Sequence, residues 1–285
     1  MKKNKAMRAA GGVLIATLLS TSAVSGTFAK YVTRDSGSDT ARVAKFGVVV
    51  TSDGALFADT YKTSTNTPGV SGDSTAAATL SVVSSAVTGA TTDHDGVDGT
   101  DKVVAPGTKN TDGLTFSITG TPEVAVKIDV IVKDNTGADF TAATKDIYLK
   151  AKTGLPDMTT GDATDTFDNA ADYYPIKYTL TQTLGSTTST LVDKQNLSAV
   201  KTALEGLTNA TVNANTNLAN SIGTLKLTWE WDFDGNGAGT YDKQDTLLGD
   251  LAAGTTLAPA TALTSGTDYN LSTGVQITIS VTQID

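Results

Sequence analysis

Apolar residues recur at every second position through several stretches of the chain, a spacing that predicts half-buried β-strands. In 123–133, Val124, Val126, Ile128, Val130 and Val132 share one face, and Glu123, Lys127, Asp129 and Lys133 share the other. In 224–231, Leu225, Leu227, Trp229 and Trp231 oppose Thr224, Lys226, Thr228 and Glu230. Nearer the C-terminus, Val275, Ile277, Ile279 and Val281 oppose Gln276, Thr278, Ser280 and Thr282. Leu114, Phe116 and Ile118 repeat the pattern in brief, as do Ile176, Tyr178 and Leu180; 43–51 and 80–87 are further strand candidates. About eight to ten strands, separated by loops rich in Gly, Asp, Asn and Thr, predict an all-β fold, an antiparallel β-sandwich.

One segment departs from this period. Leu197, Val200, Leu204 and Leu207 fall at helical spacing, with Asn196 or Ser198 able to cap the start. A short amphipathic helix over 196–208, inserted between strands, is expected, and 241–253 is a weaker helix candidate. Segments 52–78, 88–112, 152–172 and 209–221 hold little apolar residue and read as long polar loops. No period of 20–50 residues repeats, which argues against a solenoid.

The first 29 residues stand apart. Lys2, Lys3, Lys5 and Arg8 precede an apolar run over 13–19, and small residues lead to Gly26, Thr27, Phe28 and Ala29. Basic head, short apolar middle and small-residue exit describe a secretory signal peptide over 1–29. The run falls short of the roughly 20 apolar residues of a membrane-spanning helix, so no membrane span is expected in the mature chain. Losing four positive charges with this leader moves the net charge from −9 to −13. So acidic a chain is repelled by nucleic acid and anionic membrane surfaces, and neither is an expected partner. The chain has no cysteine, which excludes disulfides, zinc–thiolate sites and cysteine nucleophiles. What remains reads as an N-terminal arm over 30–41 and a single β-sandwich domain over 42–285, with an insertion around 190–222. No Leu-Pro-x-Thr-Gly signal follows the last strand, so wall attachment by that route is not expected.

Three stretches carry a resemblance. Ser25, Gly26, Thr27, Phe28, Ala29, Lys30, Tyr31, Val32 and Thr33 resemble the signal-peptide exit of the TasA/camelysin family, where a Gly-Thr-aromatic-Ala sequence precedes cleavage by a SipW-type signal peptidase. Residues 35–48 are similar to the mature N-termini of that family. Val104, Ala105, Pro106, Gly107 and Thr108, ahead of Phe116 and the 123–132 strand, are similar to its Pro-Gly turn before a core strand. The resemblance implies a jelly-roll-like sandwich that is secreted, cut between Ala29 and Lys30, and polymerised into fibres of a bacterial biofilm matrix or cell surface. It implies that the freed arm adds as a strand to the next copy, with Lys30, Tyr31, Val32 and Thr33 as its polymerisation segment. An open sheet edge offers unpaired N–H and C=O groups that an extended peptide satisfies. A frayed terminus that pairs with nothing is the plain alternative.

Other chemistry is thinly supplied. Asp232, Asp234 and Asn236, with Gly237 after them, are spaced like the start of a calcium loop, whose hard oxygen ligands alternate along the chain. The twelfth position is Lys243, where a bidentate Glu belongs, and only Asp242 or Asp245, with a different loop geometry, would replace it. Calcium is thus the one cofactor considered, none is required, and a Gly/Asn-rich loop after a strand is the bland reading. Asp93, Asp95, Asp98 and Asp101 around His94 form a second acidic loop, read as solvated. His94 is the only histidine, so the zinc site of a His-Glu-x-x-His protease cannot be built, although some camelysin-like proteins are described as metalloproteases. No catalytic residue is identified, and Trp229 and Trp231 read as core rather than as a sugar platform. The expectation is a non-enzymatic, self-assembling secreted structural protein. A monomeric surface adhesin or binding module is the alternative, and a secreted hydrolase comes third.

Overall fold

A computed structural model describes residues 44–54, 56–57, 70–71, 77–87, 104–139, 146–160, 162, 164–208, 210–232, 241–254 and 263–284. The leader, the junction at Ala29 and Lys30, the arm with Tyr31, Val32 and Thr33, the acidic loop around His94, and Asp234 and Asn236 lie outside the described residues.

The fold is mostly β, with antiparallel sheets packed together in a sandwich-like arrangement and three short helices. One sheet has six strands. Its members are β1 (Val48–Gly54), β2 (Val70–Ser71), β4 (Lys109–Gly120), β9 (Ile176–Leu184), β10 (Thr187–Gln195) and β12 (Thr224–Trp231), ordered β10-β9-β12-β4-β1-β2. The second contains β3 (Ala77–Val87), β5 (Val126–Lys133), β11 (Ala210–Val212) and β14 (Ser272–Gln283), ordered β11-β5-β14-β3. Two small ribbons pair β6 (Tyr148–Leu149) with β13 (Tyr269–Asn270), and β7 (Lys152–Pro156) with β8 (Thr166–Asn169). The helices are α1 (Leu197–Glu205), α2 (Leu218–Ser221) and α3 (Asp242–Ala252).

Alternation does the folding. The apolar faces predicted for 123–133, 224–231 and the C-terminal strand are all buried, as are Leu114, Phe116, Ile118, Ile176, Tyr178 and Leu180. Trp229 and Trp231 lie in this core. The indole Nε1 of Trp229 donates to the carbonyl of Leu56 at 2.7 Å, and its ring meets Phe57 at 5.5 Å between centroids. Asn196 caps α1 through its side chain, accepting from the Ala199 amide at 3.2 Å, and Leu197, Val200 and Leu204 are buried as the helical spacing requires. The Pro-Gly turn forms just ahead of β4, with Gly107 at φ 85° and the Thr108 amide donating to the Ala105 carbonyl.

Backbone approach fixes one glycine. Gly223, at φ 68°, enters β12 so close to β9 that a Cβ there would sit 1.9 Å from the Thr183 carbonyl oxygen. The expected loops are more structured than their composition implied: 52–78 holds the end of β1, β2 and the start of β3, and 88–112 holds the start of β4. Segment 152–172 holds the β7–β8 ribbon, and 209–221 holds β11 and α2. Their strands are short, so the alternation has no length over which to appear. The first strand begins at Val48 rather than at Val43, and Phe46 is already buried before it.

Candidate functional site

The open sheet edges differ in kind. β2 is two residues long. β10 exposes all but Val192 of its nine residues, carries Asp193 and Lys194, and is broken by register shifts on either side of Val192. Charge and irregularity of this sort discourage pairing with another chain. β5 is covered beyond the three residues of β11 by side chains from α1 and the turn after it. The Thr208 hydroxyl accepts from the Val130 amide at 3.0 Å and donates to the Val130 carbonyl at 2.8 Å, and Glu205 accepts from the Val132 amide at 3.3 Å. Side chains there stand in for a missing strand.

Among the described residues β3 shows none of these protections. Its eleven residues contain no charge, proline or glycine, and they pair with β14 in unbroken register from Val87 against Ser272 to Ala77 against Thr282. Among the described residues no strand pairs with its other side.

A second feature is a cleft of about 340 Å³ at one end of the six-stranded sheet. The end of β8, the turn leading into β9, Lys177, Lys194, Asp232 at the end of β12, and Tyr241 and Gln244 by α3 line it. Tyr241 stacks on Tyr173 at 4.7 Å with 18° between the planes, and Tyr174 lies 6.0 Å from Tyr148. The acidic residues singled out in the sequence divide here. Asp232 lines the cleft, half-buried; Asp242 is the exposed first residue of α3, where a negative charge suits the helix dipole. Lys243 is drawn to Asp157 at 2.8 Å, holding that carboxyl below its usual range. Asp245 is turned inward, toward Tyr173 and Trp231. Its Oδ1 accepts from the Tyr173 hydroxyl at 2.6 Å and from Trp231 Nε1 at 3.1 Å. Among the described residues no three His, Cys, Asp or Glu side chains gather closely enough to hold a metal ion.

Two buried carboxyls carry shifted proton affinities. Burial pushes Asp245 up to about 6, against the opposing hydrogen bonds from Tyr173 and Trp231. Burial pushes Asp146 up to about 7, although its carboxylate accepts from the amides of Leu197 at 3.1 Å and Ile147 at 3.0 Å. Leu197 opens α1, so Asp146 ties the β6 region to that helix. Neither burial shows in the sequence, apart from the placement of Asp245 three positions before Leu248 on the apolar side of α3. The cleft was also missed, because Tyr173, Tyr174 and Tyr241 are separated in the chain by β9, β10, β11 and β12.

No family model matches the chain, and comparison with curated proteins and with solved structures finds no match. The resemblance carried by residues 25–48 and 104–132 therefore rests on those residues alone. No helix among the described residues is long and apolar enough to cross a membrane.

Proposed function

We propose that the chain is a secreted, non-enzymatic structural subunit that polymerises by strand addition in a bacterial matrix or at the cell surface. Cleavage by a SipW-type peptidase between Ala29 and Lys30 frees the arm over 30–41, and the arm of one copy pairs with β3 of the next. The observation that carries this reading is the contrast between edges. β10 and β5 are guarded against pairing, whereas β3 offers eleven uncharged residues in regular register. An edge of that length and character invites aggregation unless another strand takes it. The finer description of the sandwich as jelly-roll-like belongs to the same reading. Its support is the way strands cross between the two main sheets, β3 to β4 to β5 and, with the short β13 between the last two, β11 to β12 to β14. The mature net charge of −13 argues against nucleic acid as a partner.

The test compares chains beginning at Lys30 and at Arg42 by negative-stain microscopy. Filaments are expected from the first only, and excess synthetic peptide of residues 30–41 is expected to slow their growth. Equal filaments from both chains remove the arm. Filaments from neither remove the polymer and leave the monomeric binding module.

A further inference from the structure

The cleft beside Asp232 holds polar groups that the fold does not use. Most of its lining is already engaged. Asp168 accepts from the Gly154 amide at 2.9 Å, and Asp172 accepts from the Ala151 amide at 2.8 Å. Asn169 donates to the carbonyls of Leu149 at 3.3 Å and Lys150 at 2.9 Å and accepts from Gln244 at 3.4 Å, while Lys194 is paired with Glu230.

Lys177 and Asp232 differ. Both line the cleft, and the carboxylates of Asp146, buried behind it, and of Asp232 lie near enough for their charges to act on the ammonium. Among the described residues neither side chain makes a hydrogen bond or an ion pair. Lys177 is half-buried, and loss of water around its ammonium lowers its proton affinity. A charged donor withdrawn from water without a hydrogen-bond acceptor is costly even where carboxylates act on it from further off, and a ligand oxygen that accepts from it recovers part of that cost.

The remaining chemistry narrows the ligand. A donor and an acceptor of opposite charge, facing one cleft without touching, match two neighbouring hydroxyls. One accepts from Lys177 Nζ, and the other donates to the Asp232 carboxylate. Tyr174 and Tyr241, both half-buried, add aromatic surface against which the C–H face of a sugar ring packs, and Tyr241 is held flat by its stacking on Tyr173. Three aspartates against two lysines in the lining disfavour an anionic ligand. The cleft, at about 340 Å³, falls within the size range of small-molecule sites. We propose that this cleft is a binding site for a neutral saccharide, which bridges Lys177 and Asp232 through adjacent hydroxyls and packs on Tyr241. The site is independent of the strand-addition reading.

Saturation-transfer NMR and calorimetry on the chain beginning at Lys30 test it. The probes are neutral tetrasaccharides of glucose, mannose, galactose and N-acetylglucosamine, with oligogalacturonate and a tetrapeptide as controls. At least one neutral tetrasaccharide is expected to bind, and Lys177→Met and Asp232→Asn are each expected to weaken it about tenfold or more. Both side chains lie outside the core, so each variant should keep the parent's circular dichroism, and either one that does suffices for the test. No binding by the neutral panel, binding that both variants leave unchanged, or selective binding of the acidic oligomer or the peptide would overturn the proposal.

Discussion

Asp146 and Asp245 are carboxyls kept from water while acting as hydrogen-bond acceptors for the scaffold. Burial raises both, to about 7 and about 6, from an ordinary value of 3.8. Between 3.8 and those values the folded chain retains protons that the unfolded chain has released. The stability they contribute is complete below pH 3.8 and is lost as pH rises through about 6 for Asp245 and about 7 for Asp146. One unit of offset is worth about 1.4 kcal/mol. From these groups the melting temperature is expected to fall between pH 4 and pH 8, measured by thermal denaturation. Asp245→Asn keeps one oxygen for Tyr173 and Trp231 and should flatten the profile below pH 6. Asp245→Ala strands both donors and should lower stability by about 2–4 kcal/mol at pH 4, a deficit that narrows as pH rises through about 6. A melting profile with the same slope in Asp245→Asn as in the parent would contradict the assignment.

At the scale of elements, the cover over β5 is testable in the same currency. Thr208→Val removes the hydroxyl that serves both the amide and the carbonyl of Val130, at a cost of about 2 kcal/mol in urea denaturation. Thr208→Ser should retain most of it. The long strands were legible because each buries one face. Val126 to Val132, Leu225 to Trp231 and Val275 to Val281 alternate over enough residues for the period to register. β10 was not legible, since Val192 alone is buried and a polar edge has no alternation to display. The β7–β8 ribbon has few residues, and polar contacts from Asp157 and Asp168 help hold it, a mode of support that hydrophobic spacing does not encode. α1 was legible in both spacing and cap. The acidic loop was legible only as a motif. Its two described members part company, Asp232 into a cleft and Asp242 onto a helix start.

For the whole molecule, the proposed cleavage after Ala29 would move the net charge from −9 to −13, and copies so charged would repel one another. Screening at about 0.1 M salt shortens the reach of that repulsion to about 10 Å. Filament elongation from the chain beginning at Lys30, followed by light scattering, is expected to be faster at physiological than at low ionic strength. A rate independent of salt would mean that contact between copies is confined to the uncharged strand edge. The two tryptophans of the chain share one strand, β12, and both are buried, one bonded to a carbonyl and one to the Asp245 carboxyl. Intrinsic fluorescence excited at the indole band is accordingly a local gauge. It will shift to the red when the six-stranded sheet opens, and it will stay dark to any event confined to β3, β5 or β14, so that a copy captured by its neighbour at β3 and a copy left alone should emit the same spectrum.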